Sequence, residues 1–397
     1  MRRAGRMPAL GRARSLVVAL ASLALGCDGL EPTRASPPTG AAPAGEAAVA
    51  APAPAPECQN DAIPSSPAIL VVVPHPDDET LGFAGPIYAA ADAGRRVRVV
   101  VATDGQAYCG ACKVWKNGAP RNEGEISEPC TLRELVVFGH VRRRETLAAM
   151  AVLGLGPRDV TFLGYVDGSL EAAWQSPQLP PALPECVEEG EVPGDWLDKT
   201  GERLAEDLER IVQEEAAARV VFTTDPRDTH TDHSTLHAFV ARALRETGGE
   251  RELFTALIHR AGPGPCLEGA AAGSGCALPQ RNERDAEAAP FSEIRERSYE
   301  PETHWEAQED DFGPPLRFCL RPELYQGPEP LKRRAIERYE TQIGVRDRFG
   351  TPLPPVYQGW VDWSGWLLRF VRRDELLYRS SVLAAGAPTA PAPKPVP

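Results

Sequence analysis

A Rossmann-like α/β fold, with a doubly wound, mostly parallel sheet and disulfide-stapled loop insertions, is predicted for residues 58–383. Short aliphatic runs alternate there with longer segments of helical pattern. Such alternation is typical of parallel strands joined by right-handed helical crossovers. The first run, Ala68–Val73, contains only aliphatic residues, as expected of a strand that is covered on both faces.

Four further strands are predicted from β-rich runs: Val97–Ala102, Val160–Leu163, Ala218–Thr223 and Leu253–His259. Helices are predicted at 80–93, at 141–153, at 201–217 and from about Ser234. Gly94 and Gly154 stand just past the first two helices, where glycine commonly ends a helix. The turn after the first strand is not glycine-rich, so a dinucleotide site is not expected.

Two stretches interrupt the alternation, at 106–131 and 262–316. They carry three and two cysteines respectively, and both are too irregular in sequence for core elements. We expect them to be loop insertions stapled by disulfides. Long loops in a compact domain are often functional.

The two ends of the chain lie outside this predicted domain. Residues 1–26 hold five arginines, no acid and a short apolar run, which is the pattern of a secretory signal peptide. The run is too short to span a hydrocarbon core of about 30 Å. Residues 27–57 are rich in Pro and Ala and predict an extended tether. Residues 384–397, with five prolines, predict a disordered Pro-rich tail.

Cys27 follows Leu23-Ala-Leu-Gly26, a sequence similar to a bacterial lipobox. A lipidated Cys27 would hold the domain off a membrane through the tether. We therefore expect an exported protein at the cell envelope, facing the periplasm or the exterior, with a lipid anchor rather than a transmembrane span. The alternative is an ordinary signal peptide with an incidental cysteine.

The other eight cysteines are an even number, which favours disulfides in an exported chain. Cys109-x-x-Cys112 has no second pair at zinc-ribbon spacing, so structural disulfides are preferred there too. The formal net charge is −13, and it becomes −18 once the five arginines of the signal are removed. This balance argues against a general nucleic-acid binder, which needs a basic surface.

Polar side chains follow the first and fourth predicted strands. His75 and Asp78 come after the first strand, and His230 and His233 come after the fourth. Because doubly wound sheets bind ligands at the carboxyl ends of their strands, we expect these side chains around one cleft. Two imidazoles and one carboxylate leave an open position on zinc, as in catalytic sites. Asp77 is the natural candidate to take a proton from a water that the metal activates.

A purely structural explanation of the first motif is also available, because an Asp after a strand often caps the next helix. The second His/Asp cluster, after another strand, favours the metal site instead.

The sequence resembles the LmbE/PIG-L-type family, metal-dependent de-N-acetylases that act on N-acetylglucosamine derivatives. The resemblance covers roughly residues 66–260 and 330–345. Its specific motifs are Pro74-His-Pro-Asp-Asp-Glu79 and His230-Thr-Asp-His233, where Thr231 replaces the usual Pro. Weaker matches are Thr103-Asp-Gly105, Arg142-x-x-Glu145 with Gly154, Leu163-Gly-Tyr165 with Asp167-Gly168, and Lys332-x-x-Ala335 with Tyr339 and Gln342.

The resemblance implies a role for each site residue. The metal ligands would be His75, Asp78 and His233. The residues at the reaction would be Asp77 as general base, His230 as an imidazolium that stabilises the oxyanion, and Asp232 as the carboxylate that orients a histidine. The sugar contacts would be Asp167 and one of Arg142, Arg143 and Arg144. Asp228 stands where some members carry a Tyr that assists the oxyanion, and that assistance is not expected here.

Together these observations predict a zinc-dependent hydrolase that removes the N-acetyl group from an N-acetylglucosamine-containing glycan or glycoconjugate at the cell envelope. Ferrous iron or another divalent metal is the alternative to zinc. Two other functions stay open: a metal-dependent amidase for a larger acyl amide, and a non-catalytic envelope lipoprotein that binds glycan or metal.

Overall fold

A seven-stranded, mostly parallel sheet forms the centre of the protein. Its strands are β1 (Ala68–Val73), β2 (Arg96–Thr103), β3 (Val160–Tyr165), β4 (Ala218–Thr224), β5 (Glu252–Ala256), β6 (Leu316–Cys319) and β7 (Asp374–Arg379). Their order across the sheet is β3-β2-β1-β4-β5-β7-β6. Strands β1 to β5 pair in parallel, whereas β7 pairs antiparallel with both β5 and β6.

The computed structural model describes residues 58–117, 128–184, 187, 191–228, 230–259, 316–343, 367–371 and 373–380. The predicted signal peptide, Cys27, the tether and the Pro-rich tail lie outside these residues. So does the insertion at 262–316, apart from its last residue.

Nine helices stand among the described residues: α1 (Asp78–Asp92), α2 (Cys109–Asn117), α3 (Leu132–Val152), α4 (Leu170–Gln175), α5 (Gly201–Glu214), α6 (Thr231–Thr247), α7 (Pro322–Tyr325), α8 (Leu331–Ile336) and α9 (Glu340–Ile343). Short 3₁₀ turns occur at Asn60–Ala62, Pro157–Asp159 and Leu367–Phe370. None of the helices in the described part of the chain has the length and apolar character needed to cross a membrane.

Strand β1 shows why the sheet needs helices on both faces. Its alternate residues Ile69, Val71 and Val73 belong to a core with α1 and α3. Ala68, Leu70 and Val72 belong to a second core with α5 and α6. Because successive side chains of a strand point to opposite faces, a strand buried on both sides must be aliphatic throughout. The predicted doubly wound α/β fold is confirmed.

The predicted strands and helices are present, with different bounds at several ends. Helix α3 begins at Leu132, nine residues before the predicted start, and Thr131 and Glu134 form a capping box at its beginning. The insertion at 106–131 is less irregular than predicted, because it contains helix α2. Strands β6 and β7 were not predicted, since one is very short and the other begins with two acids, Asp374 and Glu375.

Two disulfides have both of their cysteines among the described residues. Cys58 pairs with Cys319 across 261 residues of sequence, and Cys112 pairs with Cys130 across 18. The first joins the start of the domain to strand β6. The second closes the insertion that contains α2, so the predicted disulfide-stapled insertion is confirmed there.

The direction of the strand order changes between β1 and β4. The order runs outward from β1 through β2 and β3 on one side and through β4 and β5 on the other. The loops after β1 and β4 therefore leave the sheet in opposite directions and open a crevice between them. The two predicted site motifs follow these two strands.

The disulfides should contribute unequally to stability. Replacing Cys112 and Cys130 with Ser should lower the free energy of unfolding by about 3 kcal/mol, the loop-entropy value for a closed loop of this size. Replacing Cys58 and Cys319 should cost more, up to about 5 kcal/mol, because a longer loop is released. Denaturant unfolding of the two double variants measures both values. Peptide mapping under non-reducing conditions that finds other partners for these cysteines would contradict the prediction.

Candidate metal centre

The two predicted motifs meet at the carboxyl ends of β1 and β4. His75 lies two residues past β1, and Asp78 is the first residue of α1. His230 is the N-cap of α6, and His233 lies in its first turn. Helix α6 thus begins at Thr231, three residues before the predicted start. A Pro is favoured at this first helical position, and the helix forms with Thr there.

Three side-chain atoms converge at this point. The distance from Nδ1 of His75 to Nε2 of His233 is 3.1 Å. Oδ2 of Asp78 lies 3.2 Å from Nδ1 of His75 and 3.3 Å from Nε2 of His233. Ligand atoms 2.0–2.2 Å from a tetrahedral zinc ion are about 3.3–3.6 Å apart. These three residues are the predicted metal ligands, and their atoms have the spacing of ligands around one ion.

The proton of His233 is held on the side away from this point. Nδ1 of His233 lies 3.1 Å from Oδ2 of Asp228. That oxygen also accepts hydrogen bonds from the amides of Ile258 (3.0 Å) and His259 (2.9 Å). Burial raises the pKa of Asp228, but His233 and the hydrogen bonds lower it by more, so the net shift is downward and the carboxylate is ionised. His233 therefore donates from Nδ1, and its Nε2 lone pair faces His75 and Asp78.

His75 is oriented in the same way by two other carboxylates. Its Nε2 lies 3.1 Å from Oδ1 of Asp167 and 3.3 Å from Oδ2 of Asp232. Asp167 is fixed by the amide of Ala107 (2.9 Å). With its proton on Nε2, neutral His75 presents the Nδ1 lone pair to His233 and Asp78.

The charges around His75 favour a cation at this point. Burial lowers the pKa of His75, but Asp167, Asp232 and Asp78 raise it well above the ordinary value. Burial raises the pKa of Asp78, yet the net shift is downward because His233 and His75 stabilise its charge. Without a metal, a proton on His75 balances these carboxylates. Two imidazole nitrogens and a carboxylate oxygen are also the donors that zinc and ferrous iron accept. The residues therefore fit a divalent cation.

Asp77 stands beside the centre in a strained backbone conformation. It is the N-cap of α1 with φ 118°, and it is the one non-glycine residue with positive φ in the described part of the chain. Arg142 holds this turn: its Nη2 donates to the carbonyl of Pro76 (2.6 Å) and to Oδ2 of Asp77 (3.2 Å), and its Nη1 donates to the carbonyl of Gly105 (2.6 Å). Burial raises the pKa of Asp77, Arg142 lowers it, and Asp78 and Glu79 raise it, with a net shift well upward.

The three arginines predicted as candidate sugar contacts have different positions. Arg142 is buried and holds the Asp77 turn. Arg143 is half-buried and pairs with Asp104, with two bonds of 2.7 Å. Arg144 lies on the exposed side of α3. Of the three, Arg142 is the one that contacts a predicted site residue, Asp77. Asp167 lies against His75, and its contact with a sugar stays a prediction.

His230 lies next to His75 but is held in its neutral form. Its ring centroid is 4.6 Å from that of His75. Burial, with His75 and His233, lowers its pKa to about 4. Its Nδ1 accepts the amide hydrogen of Asp232 (3.3 Å), so the remaining proton is on Nε2. The expected imidazolium is therefore not favoured here. A neutral ring can still donate from Nε2 to a developing oxyanion.

Asp232 joins three loops. Its Oδ2 accepts the amide hydrogen of Gly168 (2.7 Å), and its Oδ1 accepts that of Leu170 (3.1 Å). Oδ2 also lies against Nε2 of His75. The histidine that Asp232 contacts is therefore His75, and its role of orienting this ring stays a prediction.

Sequence reasoning missed two residues of the centre. His259 packs edge-on to His233, with 4.8 Å between ring centroids, and lies near Asp78. Its pKa is lowered to about 3, chiefly by burial. Asp228, noted only as a departure from the family pattern, fixes His233. The signal for His259 was its place at the end of the fifth predicted strand, on the same edge of the sheet as the two motifs.

Comparison with known proteins identifies the central segment. Residues 70–244 match the family model described as PIG-L: GlcNAc-PI de-N-acetylase. No curated protein matches the chain.

Several solved structures resemble the chain at low identity. An N,N'-diacetylchitobiose deacetylase from Pyrococcus horikoshii is 16% identical over 80% of this chain and 85% of that chain, with a TM-score of 0.39. The zinc-inhibited form of the teicoplanin deacetylase Orf2 is 19% identical over 79% and 98%, with a TM-score of 0.40. GalB, a 4-carboxy-2-hydroxymuconate hydratase from Pseudomonas putida KT2440, is 18% identical over 49% and 67%, with a TM-score of 0.31. At these identities and scores the likenesses do not decide a substrate or a reaction.

Asp228→Asn should weaken metal binding while the domain stays folded. The amide removes the charge that holds the proton of His233 on Nδ1, and loss of such a partner typically costs 10–100-fold in metal affinity. Competition with a chromogenic chelator measures this for Zn²⁺. Asp104→Asn is the control, because Asp104 is at the same edge of the sheet but pairs with Arg143. Equal affinity in Asp228→Asn and the parent protein would contradict the role given to Asp228.

His237 should make stability depend on pH below neutrality. It lies on α6 outside the cluster, 2% exposed, with Nε2 3.4 Å from the Ser380 hydroxyl. Burial lowers its pKa to about 4, whereas an unfolded histidine titrates near about 6.5. The unfolded chain therefore binds the extra proton first as pH falls. Its contribution to stability is complete above pH 6.5 and is lost toward pH 4, by up to about 3 kcal/mol.

Unfolding of His237→Gln between pH 7 and 4 tests this. The loss of stability over that interval should be smaller in the variant than in the parent. His140→Gln, at an exposed histidine of α3, is the matched control. A loss of the same size in His237→Gln and the parent would refute the assignment.

Proposed function

We propose that the protein is a metal-dependent hydrolase that removes the acetyl group from an N-acetylglucosamine-type sugar. The match of residues 70–244 to the PIG-L de-N-acetylase family model supports this. The observation that carries this is the convergence of His75, Asp78 and His233 on one point with both imidazole lone pairs turned toward it. Zinc is the proposed metal, with ferrous iron as the alternative. When bound there, such an ion would lower the pKa of a water and polarise an acyl oxygen.

Asp77 is the proposed general base. Its carboxylate is fixed by Arg142, it directly precedes Asp78 in sequence, and the charges of Asp78 and His75 act on its pKa. Burial raises its pKa, and a bound cation would lower it again, toward the range in which a carboxylate accepts and returns a proton near neutral pH. The carboxylate would take one proton from the attacking water and deliver it to the departing sugar amine. The products are then acetic acid and a free amine, and the acid becomes acetate when its proton passes to the amine or to solvent.

His230 is the proposed donor to the acyl oxygen. Its Nδ1 is occupied by the amide of Asp232, so its Nε2 hydrogen is available to an oxyanion. A neutral donor costs less to bury than an imidazolium. We propose this neutral role in place of the charged one that the family resemblance implies.

The sugar and the surroundings of the enzyme are further parts of the proposal. Asp167 uses Oδ1 for His75 and Oδ2 for Ala107, and each oxygen keeps a lone pair for a sugar hydroxyl. Arg142 would act on the sugar indirectly, by holding the carboxylate of Asp77. The domain bounds at 58–383 and a lipid-anchored, envelope location rest on the sequence. The disulfides support export, because they persist in oxidising compartments.

Replacing Asp77 with Asn should abolish acetate release without loss of the metal. The amide cannot accept the proton, so kcat should fall by about 10²–10⁴-fold, while metal content stays near one ion per chain. The substrates are a panel of N-acetylglucosamine glycans and conjugates, assayed with and without chelator on protein lacking residues 1–57. Asp92→Asn, at the other end of the same helix, is the control. Turnover close to that of the parent in Asp77→Asn would reject the assigned base.

The same panel separates the remaining functions. Metal-dependent release of a larger acyl group, with no acetate, would identify an amidase. Metal binding with no product from any amide would favour a non-catalytic glycan- or metal-binding protein.

A further inference from the structure

Helix α1, which carries Asp78, is interrupted near its middle. Phe83 has non-helical angles (φ −138°, ψ 15°), and Pro86 lies inside the helix. A Pro has no amide hydrogen, so the carbonyl four residues before it loses its helical partner. The first turn of α1, which bears the metal ligand, is therefore not rigidly continued by the rest of the helix. Its position must be fixed by other contacts.

An ion pair stands at this interruption. Nζ of Lys332, on α8, lies 2.6 Å from Oε1 of Glu375, on β7. Nζ also donates to the carbonyl of Leu81 (2.9 Å). The amide of Gly85, which in a regular helix bonds to that carbonyl, donates to both oxygens of Glu375 (3.1 and 3.2 Å). The ion pair thus stands between the amide of Gly85 and the carbonyl of Leu81, which would bond directly to each other in a regular helix.

Both ions are almost completely buried, with side chains 0% and 1% exposed. Burying two charges costs desolvation energy that their attraction often does not recover. A well-packed apolar pair would therefore serve stability at least as well. The position of Lys332 and Glu375 in the metal-bearing helix indicates another use for them.

Hydrogen bonds connect the Lys332–Glu375 ion pair to the backbone of the candidate base, Asp77. The amide of Leu81 donates to the carbonyl of Asp77 (2.9 Å), and its own carbonyl is held by Lys332. The same turn is held from α8–α9 by Tyr339, whose hydroxyl lies 2.7 Å from the hydroxyl of Thr80 and donates to Glu79. The strained Asp77 conformation requires contacts of this kind to persist.

We propose that Lys332 and Glu375 are positioning residues for the turn Asp77–Leu81, which sets the general base and one metal ligand. The pair acts through the backbone of α1 and does not touch the substrate. Glu375 fixes where α1 resumes after the interruption, and Lys332 fixes where its first turn ends. This inference rests on the proposed function for its catalytic consequence, but not for its effect on metal binding or backbone mobility.

Gly85 is part of the same contact between α1 and the Lys332–Glu375 ion pair. A Cβ added at Gly85 would lie 3.0 Å from Oε2 of Glu375 and 3.0 Å from two ring carbons of Phe318. Gly85→Ala should therefore displace Glu375 without removing either charge. It offers a milder perturbation than the loss of a buried ion.

The test compares four variants of the full chain. Glu375→Gln and Gly85→Ala disturb the contact between α1 and the ion pair. Lys332→Gln/Glu375→Gln removes both charges together. Asp374→Asn is the control, because it breaks the neighbouring ion pair with Arg317 (3.0 Å) and leaves Lys332 and Glu375 unchanged. The measurements are the dissociation constant for Zn²⁺, kcat and KM for acetate release, melting temperature, and amide hydrogen exchange of residues 77–85 in metal-free protein.

We expect Glu375→Gln to weaken Zn²⁺ binding at least tenfold, to lower kcat at least tenfold with KM within threefold, and to speed exchange at 77–85. The double variant should melt closer to the parent than Glu375→Gln, since no unpaired charge remains, and should keep the weak Zn²⁺ binding. Asp374→Asn should leave Zn²⁺ binding and kcat within threefold.

The proposal is overturned if the variants melt earlier but retain Zn²⁺ affinity, kcat and exchange rates within twofold. A purely structural pair would give that result. If Glu375→Gln fails to fold, Gly85→Ala decides between the two results. A parent protein that deacetylates no sugar would refute the proposed function alone, because hydrogen exchange and Zn²⁺ affinity still report on positioning.

Discussion

The convergence of His75, Asp78 and His233 on one point is the constraint on which the rest of the structure depends. Three acceptor atoms within 3.3 Å of one another repel unless a proton or a metal ion stands between them. The carboxylates behind the rings fix both imidazole protons on the far side, so the repulsion is not relieved by turning the rings. The fold therefore holds open a position for positive charge, and it does so at the switch point of the sheet, where two loops diverge.

The strain at Asp77 follows from that constraint. Asp78 must begin α1 and also reach back to His75, whose amide donates to Oδ2 of Asp78 (2.9 Å). The chain makes this tight return by placing Asp77 at a positive φ. Arg142 then satisfies the carbonyl of Pro76 and the carboxylate of Asp77 together. One buried guanidinium thus stabilises the conformation and neutralises part of the negative charge that gathers there.

The sequence predicted the five parallel strands and the edge of the sheet where the two motifs meet, because each depends on local pattern. The choice of His75, Asp78 and His233 as metal ligands came from the family resemblance and stays a prediction. An aliphatic run has to be a buried strand, and polar residues directly after it have to lie at its carboxyl end. Strands β6 and β7 had no such pattern, since Glu375 is buried for an ionic contact with Lys332, far away in sequence. The choice among Arg142, Arg143 and Arg144 was likewise open, because neighbours on a helix point in directions about 100° apart and only the packing of α3 decides which one faces Asp77. The charge state of His230 depends on burial and on an amide contact, which sequence does not report.

The carboxylates that orient the histidines are themselves fixed by backbone amides from different loops. Asp228 is held by the loop after β5, Asp232 by the loop after β3 and Asp167 by Ala107 in the loop after β2. The loop after β2 leads directly into α2, which the Cys112–Cys130 disulfide closes. The insertion is therefore coupled to His75 through one amide and one carboxylate. A displacement of the backbone at Ala107 would therefore be transmitted through Asp167 to the ring of His75.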